Sequence, residues 1–313
     1  MHVVALAGGI GAGKFLRGLV RAVDPSEVTA VVNTADDVTM HGLHVSPDLD
    51  SVTYWLGDVF DRGRGWGRRD ETFRATEELR RFDPETAWFN LGDLDLATHL
   101  FRTRLLRDGV TLTEVTARVA ERFGIASRIL PMSDDPVATR VSVLADGAEL
   151  DLHFQEYWVQ RHAQDEVKEI RYEGAEASRP APGVLEAIGA ADVVVICPSN
   201  PVASVGPILA VPGIRDALAA QRERVVGISG IVGGAPLAGM ADRLMPAVGA
   251  EVSAVGAAGC YRGLLGAWVI DEVDRDLVAR IETTGIRAGV TDTIMRDDAA
   301  AERLARFALD LLP

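Results

Sequence analysis

Two sets of residues near the start of the chain have the types and spacing to do chemistry. The first is Gly8-Gly9-Ile10-Gly11-Ala12-Gly13-Lys14, four glycines and a lysine directly after the apolar run 3–7. Such a loop between strand and helix offers bare backbone N–H groups to a phosphate, and a Cβ there would hold the anion away. Lys14 adds a cation. The second set is acidic: Asp36 and Asp37 in Asn33-Thr34-Ala35-Asp36-Asp37, then Asp48 and Asp50 in Ser46-Pro47-Asp48-Leu49-Asp50. Beside a phosphate loop, neighbouring carboxylates suit Mg²⁺, which takes one or two of them together with phosphate oxygens and water. Asp36 and one of Asp48 or Asp50 are the expected working pair. Taken singly, Asp48 also suits a helix cap, and Asp37 a solvated turn.

The loop excludes two common readings. Gly8-x4-Gly13-Lys14 follows the P-loop pattern for seven places, but Phe15 stands where a hydroxyl would hold Mg²⁺. The dinucleotide fingerprint begins at Gly9-x-Gly11 and fails at Lys14, where the third glycine belongs. A phosphate-binding turn of another kind remains.

Other clusters speak less clearly. In Leu91-Gly92-Asp93-Leu94-Asp95-Leu96-Ala97-Thr98-His99, Asp95 reads as a cap, Asp93 as a crevice residue and His99 as a satisfied helix-face histidine. Arg62, Arg64, Arg68 and Arg69 around Trp66 form a basic patch that suits an anion or a plain exposed loop equally. His153-Phe154-Gln155-Glu156-Tyr157-Trp158 offers flat aromatic area, with core packing as its default use. The sequence holds no Gly-x-Ser-x-Gly elbow, no zinc spacing and no Cys–His nucleophile pattern.

These residues need a scaffold, and the apolar pattern supplies one. Core strands are expected at 3–7, 28–32, 127–130, 192–196 and 225–228, with weaker ones at 268–271 and 286–288. Helical spacing recurs at 15–23, 48–57, 71–81, 96–107, 113–123, 182–188, 240–248, 274–282 and 299–311. Alternation of this kind predicts an α/β, doubly wound, mainly parallel Rossmann-like sheet. Residues 140–144 and 149–157 alternate around Asp146-Gly147 and read as a hairpin. The expectation is a single α/β domain over 1–313, with a helical insertion near 60–125 and a hairpin excursion near 138–175. The segments after the five main strands are all rich in Gly, Pro, Asp or small polar residues, including Cys197-Pro198-Ser199-Asn200-Pro201. One such loop is a turn; five on one rim predict a ligand crevice.

With 313 residues there is ample material for a core. Thirty-two Lys+Arg against 46 Asp+Glu give a formal charge of −14, which argues against a nucleic-acid partner. An acidic chain must therefore grip an anionic ligand with local devices. Cys197 and Cys260 read as reduced, structural thiols, and the absence of long apolar runs argues against a membrane span. A cytoplasmic location is expected.

The blocks Gly8-Gly9-Ile10-Gly11 with Lys14, Val32-Asn33-Thr34-Ala35-Asp36-Asp37, His41-Gly42, Ser46-Pro47-Asp48-Leu49-Asp50, Leu91-Gly92-Asp93-x-Asp95-x-Ala97-Thr98-His99, Leu130-Pro131-Met132-Ser133-Asp134-Asp135-Pro136, His153-Phe154-Gln155 and Pro198-Ser199-Asn200-Pro201 occur in this order. Together they resemble the CofD family, the 2-phospho-L-lactate transferases of coenzyme F420 biosynthesis, nearly from end to end. The resemblance implies a Mg²⁺-dependent enzyme that moves a phospholactyl or phosphoenolpyruvyl group from a guanosine diphospho-linked donor to the deazaflavin Fo. GMP leaves, and F420-0 or dehydro-F420-0 forms. By the same resemblance, Gly8, Gly9, Gly11, Gly13 and Lys14 hold the diphosphate, and Asp36 and Asp48 bring the metal. Asp50 approaches the ribityl end of Fo and is the candidate base, while Ser199 and Asn200 approach the nucleotide. A homodimer is implied. Two departures stand out: Gly13 where archaeal members often have Pro, and Asn90 where some members carry a basic residue. Of two rivals, the nearer is a non-catalytic nucleotide-sugar-binding regulator of a related family, which is not expected to keep Ser46–Asp50 or His153–Gln155. A Rossmann oxidoreductase is disfavoured by the failed fingerprint.

Overall fold

Seven short stretches pair into one parallel sheet; the inner ones, mostly Val, Ile, Leu and Ala, are buried on both faces, as apolar runs without alternation demand, while the edge stretch 287–290 is only partly buried. The computed structural model describes residues 1–85, 88–145 and 147–312. Strand β1 (Val3–Ala7) leads into helix α1 (Gly9–Ala22) and back to β2 (Val28–Val32). A small hairpin, β3 (Val38–Met40) and β4 (Leu43–Val45), precedes α2 (Pro47–Leu56). Helices α3 (Arg74–Phe82), α4 (Asp93–Arg107) and α5 (Leu112–Arg122) then lead to β5 (Arg128–Pro131). An antiparallel trio follows: β6 (Ala138–Ala145), β7 (Ala148–His153) and β8 (Glu166–Glu173), with β6 in the middle. The chain returns through α6 (Val184–Ala190), β9 (Val193–Ile196), α7 (Gly206–Ala210), α8 (Ile214–Ala219) and β10 (Val225–Ile228). Then come the two-residue strands β11 (Ile231–Val232) and β12 (Ala235–Pro236), α9 (Ala241–Leu244) and α10 (Ala254–Gly259). Strand β13 (Ala267–Ile270), α11 (Val278–Glu282), β14 (Arg287–Val290) and α12 (Asp298–Asp310) complete it.

The sheet order is β14-β13-β10-β9-β1-β2-β5. From β1 the chain winds outward through β2 to β5, then crosses to β9 and winds the other way. The strand order therefore reverses between β1 and β9, and the crevice beyond their carboxyl ends is where such sheets take ligands. Alternate side chains serve two cores. Val4 and Leu6 point to one face with Val194 and Ile196, and Val3, Ala5 and Ala7 to the other with Phe15 and Leu304. Trimming Leu6 to Ala would cost about 2–5 kcal/mol at such a site. Helices α1 and α12 pack so closely that a Cβ on Gly18 would collide with the Ala301 backbone.

Several local expectations change. Helix α1 begins at Gly9 rather than after the glycines, so Gly11 and Gly13 lie inside its first two turns. The strand expected over 149–157 ends at His153 and gives way to a wide turn at Glu156–Gln160. Strand β8 is an addition; its charged residues and a break in its alternation hid it. The helix expected over 240–248 is α9 followed by a separate single turn, Pro246–Val248, because Pro246 lacks the N–H that would continue the ladder. Of the expected Asp146-Gly147 turn, Asp146 lies outside the described residues, while Gly147 has φ +80°.

Candidate active site

The reversal point brings the glycine segment against the loop that follows β9. Ser199 Oγ donates to the Gly8 carbonyl at 2.9 Å. Gly8 caps α1 without a side-chain bond, and the first turn holds no acid, so the helix start keeps its partial positive charge. The four glycines differ in purpose. Gly9 has φ +72°, which a Cβ disfavours. A Cβ on Gly8 would stand 2.6 Å from both Asp48 Oδ2 and Ser204 Cβ. Gly11 would clash with the Pro198 carbonyl oxygen and Gly13 with the Trp55 ring. Gly13 is also past the first turn, so its N–H belongs to the helix ladder. The expectation that all four cradle an anion thus narrows to the segment 8–11, and Gly13 is a packing glycine. Lys14 is half-buried in α1, with no acidic partner among the described residues.

The acids converge on the same place. Pro47 opens α2, where a missing N–H costs nothing, and sets Asp48 and Asp50 in the first turn. Asn33, at the end of β2, is fully buried and donates through Nδ2 to Asp48 Oδ2 at 2.9 Å and to the Ala203 carbonyl at 3.3 Å. Its Oδ1 accepts from the Ala35 N–H. Burial pushes the Asp48 carboxyl up to about 7, although the bonds from Asn33 and Gly9 work against this. Burial and then the Asp48 charge push Asp36 well above the ordinary carboxylate range. Asp36 Oδ1 is buried with no hydrogen-bond partner. Thr139 donates its N–H to Ala35 and brings a second unpartnered buried oxygen, Oγ1, to this region. Two crowded acids, each raised further by the Asp37 charge, with buried unpartnered oxygens on Asp36 and Asp37, form beside a helix N-terminus a donor set short of positive charge. Among the described residues no third His, Cys, Asp or Glu joins them as a closed metal cage. Two carboxylates that leave positions open for water and phosphate fit Mg²⁺.

Asp50, two residues on, is engaged elsewhere. Its Oδ2 accepts from Arg102 Nη1 at 3.1 Å and its Oδ1 from Arg102 Nη2, all within the protein interior. His99 Nδ1 lies 3.7 Å from Asp50 Oδ2 and its Nε2 3.3 Å from Asp95 Oδ2, and Tyr54 donates to Asp95 Oδ1 at 2.5 Å. The guanidinium engages both Asp50 oxygens in a bidentate pair. Asp93 and Asp95 exchange the roles expected of them. Asp93 accepts from the Arg74 and Ala75 N–H groups at the start of α3, and Asp95 is the buried one.

The remaining residues separate cleanly. Asn200 Oδ1 accepts from the Val202 and Ala203 N–H groups, and its Nδ2 faces Met240 Sδ at 3.7 Å. Asp37, half-buried rather than solvated, accepts from Ser46 Oγ at 2.7 Å and meets His44 Nε2 at 2.8 Å. The basic patch is used up structurally. Arg62 pairs with Asp298 and lies over Trp55, Arg64 with Asp61 and over Trp66, and Arg68 lies over Tyr54 and Phe123. His153 Nδ1 accepts from the Gln155 N–H; burial lowers its pKa, and Asp37 beside it works the other way.

Sequence reasoning missed Asn33 and Arg102 as site residues. Nothing in a post-strand asparagine announces its amide partners. Arg102 had a signal: Asp95, His99 and Arg102 repeat at i, i+4, i+7, a charged stripe on one helix face.

The family model described as 2-phospho-L-lactate transferase CofD matches residues 3–305. The chain belongs to this family of transferases. A Streptomyces griseus protein named phosphoenolpyruvate transferase is 50% identical over 312 residues, covering 99% of this chain and 98% of that protein. A Methanosarcina acetivorans protein named 2-phospho-L-lactate transferase is 42% identical over 309 residues, again covering 99% and 98%. Among solved structures, a Bacillus halodurans protein described as a member of the UPF0052 family has a TM-score of 0.62 at 19% identity, covering 98% of this chain and 99% of its own. That likeness establishes the shared fold. Among the described residues no helix is long and apolar enough to cross a membrane.

Proposed function

We propose that this protein transfers a phosphoenolpyruvyl group from a guanosine diphospho-linked donor to the deazaflavin Fo, releasing GMP and forming dehydro-F420-0. The observation that carries the reading is the buried Asp36–Asp48 pair, with its orphaned oxygen, against the glycine start of α1 at the strand-order reversal. The 50% identical Streptomyces griseus relative is named a phosphoenolpyruvate transferase and the 42% identical Methanosarcina acetivorans one a 2-phospho-L-lactate transferase, which supports the enolpyruvyl donor over the lactyl one.

In the reaction a hydroxyl oxygen of Fo forms a bond to the phosphorus of the transferred group. The anhydride P–O bond to GMP breaks, and the hydroxyl proton is released. Catalysis of this kind is mostly positioning and charge neutralisation. The N–H groups at the start of α1 that Asp48 leaves free and the Lys14 ammonium hold the diphosphate. Asp36 and Asp48 hold Mg²⁺, which supplies charge neutralisation at the phosphate oxygens. Ser199 fixes the glycine segment through Gly8, and the Asn200 amide faces the nucleotide side. Asp50, locked by Arg102, orients the acceptor end of the crevice. The protein works as a homodimer in the cytoplasm.

Mass spectrometry of products from Fo with each donor tests the reading. Dehydro-F420-0, formed only when divalent cation is present, is expected. A protein that binds GDP but turns over neither donor would overturn it.

A further inference from the structure

We propose that Asn33 is the positioning residue of this site, fixing the Asp48 carboxylate in the orientation that receives a divalent cation. The inference rests on Asp48 being a cation ligand. It goes further by naming the group that makes Asp48 one.

Asn33 uses almost all the bonding capacity of its amide, and each bond goes to a different part of the rim. Oδ1 accepts from Ala35 N–H at 2.9 Å, which shapes the turn that carries Asp36. One Nδ2 bond reaches Asp48 Oδ2 on α2, and the other reaches the Ala203 carbonyl, 170 residues away. The second ties the turn after Asn200, next to Ser204, whose side chain crowds Gly8. The amide thus sets Asp36, Asp48 and the glycine segment in one register. It also divides the labour of the Asp48 oxygens. Asn33 holds Oδ2, the oxygen nearer Gly8, whereas Oδ1 lies toward Gly9, whose N–H also bonds this carboxylate and leaves a lone pair for a cation. Groups that hold a ligand's second oxygen orient it for the metal, and their loss typically costs 10–100-fold in affinity.

An asparagine buried only to satisfy a core would affect stability and leave ion binding alone. Calorimetric titration with Mn²⁺ in the presence of GDP separates the two roles, run on wild type and on Asn33→Ala and Asn33→Ser. Wild type binds, and both variants, folded by circular dichroism and held at saturating GDP, lose about 10–100-fold in Mn²⁺ affinity. Unchanged Mn²⁺ affinity in a folded variant overturns the inference and leaves Asp48 as a ligand. Absence of Mn²⁺ binding in wild type overturns the ligand reading and this inference with it. A second measurement needs no variant at position 33. The chain has three asparagines, Asn33, Asn90 and Asn200, so protein labelled with ¹⁵N-asparagine shows three side-chain amide pairs. Asn90→Ser and Asn200→Ser assign them by elimination. Addition of Mg²⁺ with GDP shifts the Asn33 pair and leaves the exposed Asn90 pair in place; a stationary Asn33 pair overturns the inference.

Discussion

Helices α1 and α4 both meet α2, which carries Asp48 and Asp50, and are built on opposite rules. Helix α1 buries apolar residues such as Phe15, Leu16 and Leu19 under a sheet and brings its backbone close to its neighbours through glycine. Helix α4 buries a polar stripe, Asp95, Thr98, His99, Arg102 and Thr103, and turns Leu94, Leu100 and Phe101 outward. Leu100 is 58% exposed while His99 beside it is 1% exposed. The first helix offers N–H groups that are fixed because the fold around them is apolar and tight. The second spends its interior on one ion pair that holds α2, whose first turn carries Asp48. One region is made rigid by packing and the other by charge, and perturbation should separate them.

The largest effect is expected where the two regions meet. Asp36→Ala or Asp48→Ala should reduce product formation on the order of a thousandfold, as loss of transition-state charge stabilisation does, with an unchanged circular dichroism spectrum. Turnover within a few-fold of wild type would remove the cation assignment. Next, Arg102→Met leaves the Asp50 carboxylate buried and unpaired, at a cost of about 3–5 kcal/mol in unfolding free energy. The double variant with Asp50→Leu should recover most of that stability but not the activity. If the single and double variants are equally unstable in urea, the ion pair is not what holds α2.

Glycine substitutions then distinguish packing from ligand approach. Gly13→Val drives a side chain into Trp55 and should cost about 1–3 kcal/mol or more in stability. Gly9→Ala meets no close contact but strains a backbone at φ +72°, costing about 1–2 kcal/mol. It should weaken GDP binding more than thermal stability, and Gly13→Val the reverse. A matched response in melting and GDP titration would erase the distinction drawn between the two glycines. The smallest effect is a slope. Asp48 is raised from the ordinary carboxylate value to about 7, so between pH 4 and 7 the folded protein binds more protons than the unfolded chain. Stability of the metal-free protein should therefore fall as pH rises through that window, and Asp48→Asn should flatten the fall. Urea melts at several pH values check the sign.

The difference between α1 and α4 also explains what could be read in advance. The inner sheet strands stand where apolar runs are bounded by turn residues, because burial on both faces leaves a plain pattern; the edge strand β14, with Arg287 and Gly289, carries only a weak one. The glycine segment and the acids were visible for the same reason: their types are rare at such spacing. Strand β8 escaped because a register shift opposite Ser142 and Val143 breaks the alternation of Val167 with Ile170 and Tyr172 among its charged residues. Roles depending on three-dimensional partners were out of reach. Only the fold shows that Gly13 faces Trp55, that Asp93 serves α3, or that the arginines around Trp66 are consumed by Asp298, Asp61 and aromatic rings. Asn33 is the sharpest case, a residue in plain view whose work lies in two amide protons.

The central claim is that the start of α1 and the Asp36–Asp48 pair together grip a diphosphate through a divalent cation. A crystal grown with GDP and Mn²⁺, with anomalous data collected near the manganese edge, tests it most directly. One strong anomalous peak between the Asp36 and Asp48 carboxylates is predicted, with the diphosphate against residues 8–11. A diphosphate bound away from that segment, or manganese on other ligands, would contradict the account.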